Sequence, residues 1–233
     1  MIKAFIWDLD GVITDTSNFH REAWIEALRL KLNNQSYDDI SERYDQFFSG
    51  VPRLVGIKRF LESTKTSSIN NDVELIAKKI ADFKNQLFRE KVSKLKINIY
   101  EDAVNLLSWG KDHGIKNGLA SQSENADFVL EKTNLKYLLD AAATGLTAKK
   151  NSIPPKPDPA FYRHAADLLG FKISECVVFE DTYAGAFSAV TAGANFCVGV
   201  ARNASSTMEL ASAGCDIITR DLDQLRKIIN IVK

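Results

Sequence analysis

Residues 4–7, Ala-Phe-Ile-Trp, are wholly apolar, and the run stops abruptly at Asp8. A short apolar run bounded by a charge reads as a buried parallel strand ending in a functional loop. Similar runs recur at 118–120, 177–179, 196–200 and 216–218, with helical patterns between them. Residues 101–113 carry Val104, Leu106, Leu107 and Trp109 behind an acidic start, and Gly114 follows as a stop. Residues 159–169 follow Asp158 as N-cap, open on Pro159 and close at Gly170, while residues 182–192 form a small-residue helix closed by Gly193. This alternation predicts an α/β fold, a doubly wound Rossmann-like parallel sheet with right-handed crossovers. Such sheets place their sites beyond the carboxyl ends of strands, where Asp8 and the pair Glu180 and Asp181 are expected.

Residues 17–95 break the alternation. Trp24, Ile25 and Leu28, then Tyr44, Phe47 and Phe48, then Leu75, Ile76, Ile80, Phe83 and Leu87 fall at helical spacings with no convincing strand. The segment is expected to be a small all-helical domain inserted after the first strand, with the Ser/Thr/Asn-rich stretch 63–71 as a loop inside it. The remaining residues, 1–16 and 96–233, form the α/β domain. The charges divide the same way. The chain holds 30 basic and 30 acidic residues, yet 17–95 holds 14 and 11, net +3, and the remainder is net −3. Zero net charge gives no whole-molecule reason to bind nucleic acid or an anionic membrane. Cys176, Cys197 and Cys215 are odd in number and widely spaced, with no CxxC, which argues against a disulfide framework and against zinc. Residues 182–201 carry no charge, but three glycines, several hydroxyls and Asn195 make them too weakly apolar to span a membrane. The N-terminus turns acidic after a short apolar run, unlike a signal peptide, so a cytoplasmic location is expected.

The chemistry begins with Asp8 and Asp10, two apart after a strand and before Gly11. Close carboxylates repel, and either a divalent cation or a shared proton relieves them. One can then attack while the other donates and accepts a proton. An N-cap and a turn would explain the same residues without chemistry. Glu180 and Asp181 form a second acidic pair after another apolar run, and hard cations such as Mg²⁺ favour carboxylate oxygens and retained water.

Four segments in order, FIWDLDGVITDT at 5–16, LASQS at 119–123, KPDP at 156–159 and VFEDTYAG at 178–185, resemble the motifs of the haloacid dehalogenase-like superfamily, and 17–95 resembles its small helical cap. The resemblance implies Mg²⁺-dependent phosphoryl transfer through an aspartyl-phosphate. It makes Asp8 the nucleophile and Asp10 the general acid/base. Ser121 would hold the phosphoryl group and Lys156 would offset negative charge. Asp8, the Asp10 backbone carbonyl, Glu180 and Asp181 would hold the metal. The presence of Asp10 speaks against dehalogenation, which has no leaving alkoxide to protonate. A non-catalytic phosphate sensor on the same fold would be expected to lack one of Asp8, Asp10, Lys156 or Asp181, and all four are present.

Within the superfamily the sequence is similar to the β-phosphoglucomutase-like branch. DGVITDT is followed by His20 and Trp24, SGVPR at 49–53 resembles a cap loop whose Arg clamps the substrate's non-transferring phosphate, and Lys84 and Asn85 resemble a KN pair of the last cap helix. The implied substrate contacts are Thr16, His20, Trp24, Gly50, Arg53, Lys84 and Gln122. Arg suits bidentate phosphate binding and Lys point-charge neutralisation. Three departures stand out: Pro52 before Arg53, Glu124 where the mutase pattern has Lys, and a longer 148–153 segment bringing Lys149 and Lys150. The expected activity is a sugar-phosphate phosphomutase working as a monomer on a small phosphorylated sugar, with a sugar-phosphate phosphatase using the same residues as the alternative.

Overall fold

The computed structural model describes residues 2–32, 37–64, 72–202 and 206–225. The apolar run at the N-terminus is β1 (Ala4–Trp7), with every residue buried. Side chains alternate across a strand, so a strand covered on both faces has no polar position. Ala4 and Ile6 join one cluster with Phe161, Val178, Ala186 and Ala189. Phe5 and Trp7 pack away from it: Phe5 stacks on Trp109 at 6.4 Å and Trp7 on Phe179 at 3.9 Å. Trp7 also donates its indole N–H to Asn117 Oδ1 at 3.1 Å, and Asn117 donates to the Leu107 carbonyl at 2.9 Å, so this core keeps its polar atoms paired. Each large side chain buried here contributes roughly 1.5–3 kcal/mol.

The other strands are β2 (Lys116–Ser121), β3 (Ala141–Thr144), β4 (Cys176–Glu180), β5 (Phe196–Val200) and β6 (Ile217–Thr219). They form one sheet in the order β3-β2-β1-β4-β5-β6, and every neighbouring pair is parallel. The chain winds outward from β1 to β3, then resumes at β4 on the other side of β1. The switch point therefore lies between β1 and β4, and Asp8 and Glu180 stand at the carboxyl ends of those two strands. The sheet is the doubly wound α/β architecture expected from the alternation. Five of its strands are apolar runs in the sequence, and β3 is not. Alanine alone favours helix, but Ala141 to Thr144 is held extended by pairing with β2 from Gly118↔Ala141 to Ser121↔Thr144.

The chain divides into two compact units, Met1–Asp15 with Ile97–Lys233, and Thr16–Lys96. In the first, the helices are α5 (Glu101–Asp112), α6 (Ala126–Thr133), α7 (Gly145–Lys150), α8 (Ala160–Leu169), α9 (Tyr183–Ala192) and α10 (Ser206–Ser212). Asp158 accepts the Ala160 N–H at 2.8 Å while Pro159 occupies the N-cap of α8, so the cap sits one residue later than the sequence suggests. The second unit holds α1 (Ser17–Lys31), α2 (Tyr37–Phe47), α3 (Arg53–Ser63) and α4 (Val73–Lys94) around Trp24, Leu28, Phe48, Phe60 and Ile80. Ser63 closes α3, and residues 65–71 of the expected loop lie outside the described residues. Among the described residues no helix is long and apolar enough to cross a membrane.

Candidate active site

β1 ends one residue before Asp8, and the Asp8 N–H continues the ladder to the Phe179 carbonyl at 2.9 Å. That bond fixes the backbone of Asp8 against β4. Lys156 reaches the same point from a position 148 residues away in sequence. Its ammonium donates to Asp8 Oδ1 at 2.7 Å, to the Ala120 carbonyl at 2.9 Å, to the Tyr162 hydroxyl at 3.0 Å, and to Glu180 Oε1. Tyr162 in turn donates to Glu180 Oε1 at 2.8 Å. The other oxygen of Glu180 accepts the N–H groups of Asp181 and Thr182 at 3.0 and 3.1 Å and the Thr182 hydroxyl at 3.1 Å. Thr182 caps α9 through Gly185 N–H, so the Glu180 carboxylate rests on the positive end of that helix.

Charge in this cluster is not balanced by the side chains alone. Burial pushes the Asp8 carboxyl up to about 7 against the pull of Lys156, and Glu180 and Asp10 add to the rise. Burial, followed by the neighbouring Glu180, Asp8 and Asp10, raises Asp181 well above the ordinary carboxylate value. Burial alone would lower the Lys156 ammonium, but Asp8 and Glu180 outweigh it and hold it above its usual range. One lysine thus faces four carboxyl groups, and Oδ1 of Asp181 is buried with no hydrogen-bond partner.

These observations fit a hard divalent cation. No three or more Asp, Glu, His or Cys side chains gather as a ligand set among the described residues. Mg²⁺ does not require one, because it binds through one or two carboxylates and keeps several waters. Asp8 and Asp181 are two such carboxylates, and the Asp10 carbonyl is the third expected donor. Glu180 has both oxygens engaged by protein donors, so it could join the set only by releasing some of them.

The remaining residues singled out in the sequence fall in two places. Ser121 is the buried last residue of β2, and its Oγ accepts the Ser123 N–H at 3.2 Å; Gln122 follows it. Asp10 lies in the turn after β1, bridged to Thr14. The others belong to the second unit. Thr16 is fully buried at the N-cap of α1, Gly50 adopts φ 63° before α3, and Arg53 opens α3. His20 and Trp24 lie on α1, and Lys84 is buried on α4 with its ammonium 2.5 Å from His20 Nδ1. It stands 5.5 Å from the Trp24 ring and 5.0 Å from the Phe88 ring, while His20 stacks on Phe88 at 3.9 Å. An ammonium so placed is attracted to the negative faces of both rings.

Three residues of the Asp8 cluster carry little chemical signal in the sequence. Tyr162 reads as one apolar position on α8, and only its hydroxyl hints at more. Thr182 is an ordinary N-cap. Gly185 is the clearest hint, because glycine inside a helix is unfavourable unless something approaches closely. A Cβ at position 185 would stand 1.8 Å from Glu180 Oε1 and 2.0 Å from its Cδ. Glu180 cannot swing aside without losing donors. Gly185→Ala is therefore expected to destabilise the protein by about 1–3 kcal/mol despite alanine's better helix propensity, and to lower turnover with it. Thermal denaturation checks this, and a midpoint at or above wild type would contradict a tight seat for Glu180.

Known proteins share this arrangement of chain. A family model described as haloacid dehalogenase-like hydrolase matches residues 2–193. The chain is 29% identical to a β-phosphoglucomutase of Bacillus subtilis, with 96% of this chain and 92% of that protein covered. It is 26% identical to a protein of Thermotoga maritima described as a phosphorylated carbohydrates phosphatase, covering 100% and 99%. The crystal structure of a β-phosphoglucomutase from Clostridium difficile superposes with a TM-score of 0.80 at 28% identity, covering all of both chains.

Proposed function

This chain belongs to the haloacid dehalogenase-like hydrolases, and on that premise we propose that it moves the phosphoryl group of a sugar phosphate through a covalent intermediate on Asp8, as a β-phosphoglucomutase-like phosphomutase. The observation that carries this is the Asp8 carboxylate at the switch point, paired with a buried lysine and short of positive charge. Phosphoryl transfer is mainly positioning and charge neutralisation, and the cluster supplies both. An Asp8 oxygen attacks phosphorus, the P–O bond to the sugar breaks, and Asp10 protonates the leaving alkoxide. Asp10 then takes the proton from the accepting hydroxyl as that oxygen attacks the phosphoryl group on Asp8. In the mutase the acceptor is a hexose monophosphate, and the bisphosphorylated sugar so formed reorients and returns its other phosphate to Asp8. Lys156 stays beside Asp8 throughout and offsets the charge gathered there, and Ser121 stands at the next strand end to hold phosphoryl oxygens. Mg²⁺ held by Asp8, Asp181 and the Asp10 carbonyl would neutralise phosphate charge. Arg53, Lys84, His20, Thr16, Trp24, Gly50 and Gln122 are assigned to substrate recognition. Relatives that act on phosphorylated sugars support the substrate class.

A specific observation favours phosphatase activity as the second reading. Glu124 lies in the loop after Ser121, and its carboxylate stands 3.7 Å from Lys149. An acid on this loop, occupying a nearby lysine, disfavours the second phosphate of a bisphosphorylated intermediate. Incubation with Mg²⁺ and a panel of sugar phosphates separates the two. Conversion of β-glucose 1-phosphate to its isomer at catalytic bisphosphate levels, with little free phosphate, is the expected result. Rapid phosphate release without isomer would overturn the mutase in favour of the phosphatase.

A further inference from the structure

Residues 182–201 carry no charge, and Arg202 is the first charged side chain after Asp181. It stands just beyond the carboxyl end of β5, next to β4 in the sheet. Its guanidinium forks onto Asp102, with Nη1 to Oδ2 at 2.7 Å and Nη2 to Oδ1 at 3.0 Å. The same group donates from Nη2 to the Val12 carbonyl at 3.1 Å and from Nη1 to the Arg220 carbonyl at 3.1 Å. Its Cζ lies over the Tyr100 ring, 4.0 Å from the ring centre. Asp102 accepts the Ala103 and Leu222 N–H groups, both at 2.8 Å. Both side chains are mostly buried, at 16% and 14% exposure. Breaking such a pair leaves an uncompensated charge inside the protein, so the fork is a firm anchor.

The anchored carbonyl belongs to the turn that carries Asp10. Gly11, at φ 96°, donates its N–H to the Thr14 carbonyl at 2.7 Å, and the N–H groups of Ile13 and Thr14 both reach the Leu9 carbonyl at 3.0 Å. The turn is thus bonded to itself. Tyr100 N–H holds the next carbonyl, Ile13, at 3.0 Å. Asp10 is itself bridged to Thr14 inside this turn, so the course of its backbone follows the turn.

We infer that Arg202 is a positioning residue for the phosphoryl-transfer reaction, holding the Asp10 turn by the Val12 carbonyl and so setting where the Asp10 carboxyl stands for proton transfer. This rests on Asp10 being the acid–base group of the proposed function. Arginine is needed because one planar group must fork onto a carboxylate, stack on a ring and still reach a carbonyl, and lysine has a single charged nitrogen. The charge of Arg202 is already met by Asp102, so its influence on Asp10 is geometric.

The test uses the full chain with Mg²⁺, an alkyl substrate such as a turned-over sugar phosphate, and p-nitrophenyl phosphate, whose leaving group departs without a proton. Arg202→Lys is expected to lower kcat on the sugar phosphate about 10–100-fold with little change in KM, the loss typical of a small misplacement. The first-turnover burst of nitrophenolate is expected to stay within about threefold of wild type, because phosphorylation of Asp8 by this ester needs no acid. In an Asp10→Asn background Arg202→Lys is expected to add nothing. Equal losses on both esters, or an undiminished effect in the Asp10→Asn background, would overturn the inference. Should Arg202→Lys fail to fold, Asp102→Asn weakens the same fork and is expected to show the same selectivity at smaller size; its loss on both esters alike would overturn the inference too. Full sugar-phosphate turnover by Asp10→Asn alone would instead remove the reading of Asp10 itself.

Discussion

Asp8→Asn is expected to abolish turnover while leaving the protein as stable as wild type or more so. An amide oxygen cannot form the phosphoenzyme, and losing the nucleophile of a covalent mechanism lowers kcat on the order of 10⁴- to 10⁶-fold. Stability moves the other way because the Asp8 charge is unfavourable where it stands. Burial pushes its carboxyl up to about 7 even with Lys156 at 2.7 Å. The isosteric amide removes a buried charge from a cluster rich in carboxylates and can still offer its oxygen to Lys156, which keeps Glu180 as counter-ion. Stability given up at a reacting group is the usual balance at such sites. Two measurements check this together: steady-state turnover with a search for a phosphorylated Asp8 peptide after acid quench, and the thermal midpoint. Retained turnover would sink the covalent mechanism. Lost turnover with a midpoint several degrees lower would mean that Asp8 is a structural anchor and that its chemistry has not been tested cleanly.

Much of this centre is legible in sequence because burial on both faces leaves a strand no polar position. The runs at β1, β2, β4 and β5 could be seen for that reason, and their ends marked Asp8, Ser121 and the pair Glu180 and Asp181. β3 could not, because three alanines carry no strand signal and only pairing with β2 makes them extended. The meeting of Lys156 with Asp8 is also not a local property. The sequence offers a lysine between two prolines, and the approach across 148 residues comes from the winding of the sheet. Tyr162 fails for a different reason. Its ring is fully buried and behaves as core, so its position on α8 explains itself without chemistry. The role of its hydroxyl depends on Glu180, eighteen residues later on another element. Glu180 shows the limit most clearly. Its place at a strand end was readable, whereas the engagement of both its oxygens follows from Thr182, Gly185 and Tyr162 acting together. Arg202 likewise has an unremarkable sequence setting, and its weight comes from Val12 on one distant segment and Tyr100 and Asp102 on another meeting it.

Lys156→Met is expected to damage both activity and stability, in contrast to Asp8→Asn. Methionine fills a similar volume, but the lysine side chain is 2% exposed and its ammonium answers Asp8, Glu180 and two neutral oxygens. Removing one partner of a buried ion pair costs about 3–5 kcal/mol, and losing a preorganised charge at a transferring phosphoryl group lowers kcat about 10²- to 10³-fold. The pH dependence follows from the same geometry. Lys156 now pulls the Asp8 carboxyl down, so without it that carboxyl rises beyond about 7, while its ordinary value is 3.8. An acid with a higher pKa folded than unfolded binds its proton more tightly in the native state, so the native state gains as pH falls through that interval. Wild-type Asp8 also takes up a proton below about 7, so there the two proteins gain in parallel. Urea unfolding should therefore show the stability gap between Lys156→Met and wild type narrowing as pH falls toward about 7 from the alkaline side and staying level below it. The double variant sharpens the point. If Lys156→Met is unstable because it strands the Asp8 charge, adding Asp8→Asn removes that charge, and the double variant should be more stable than Lys156→Met alone. Simple additivity of the two changes, or a gap that does not move with pH, would show that the instability comes from lost packing around the lysine stem and not from the unpaired carboxylate.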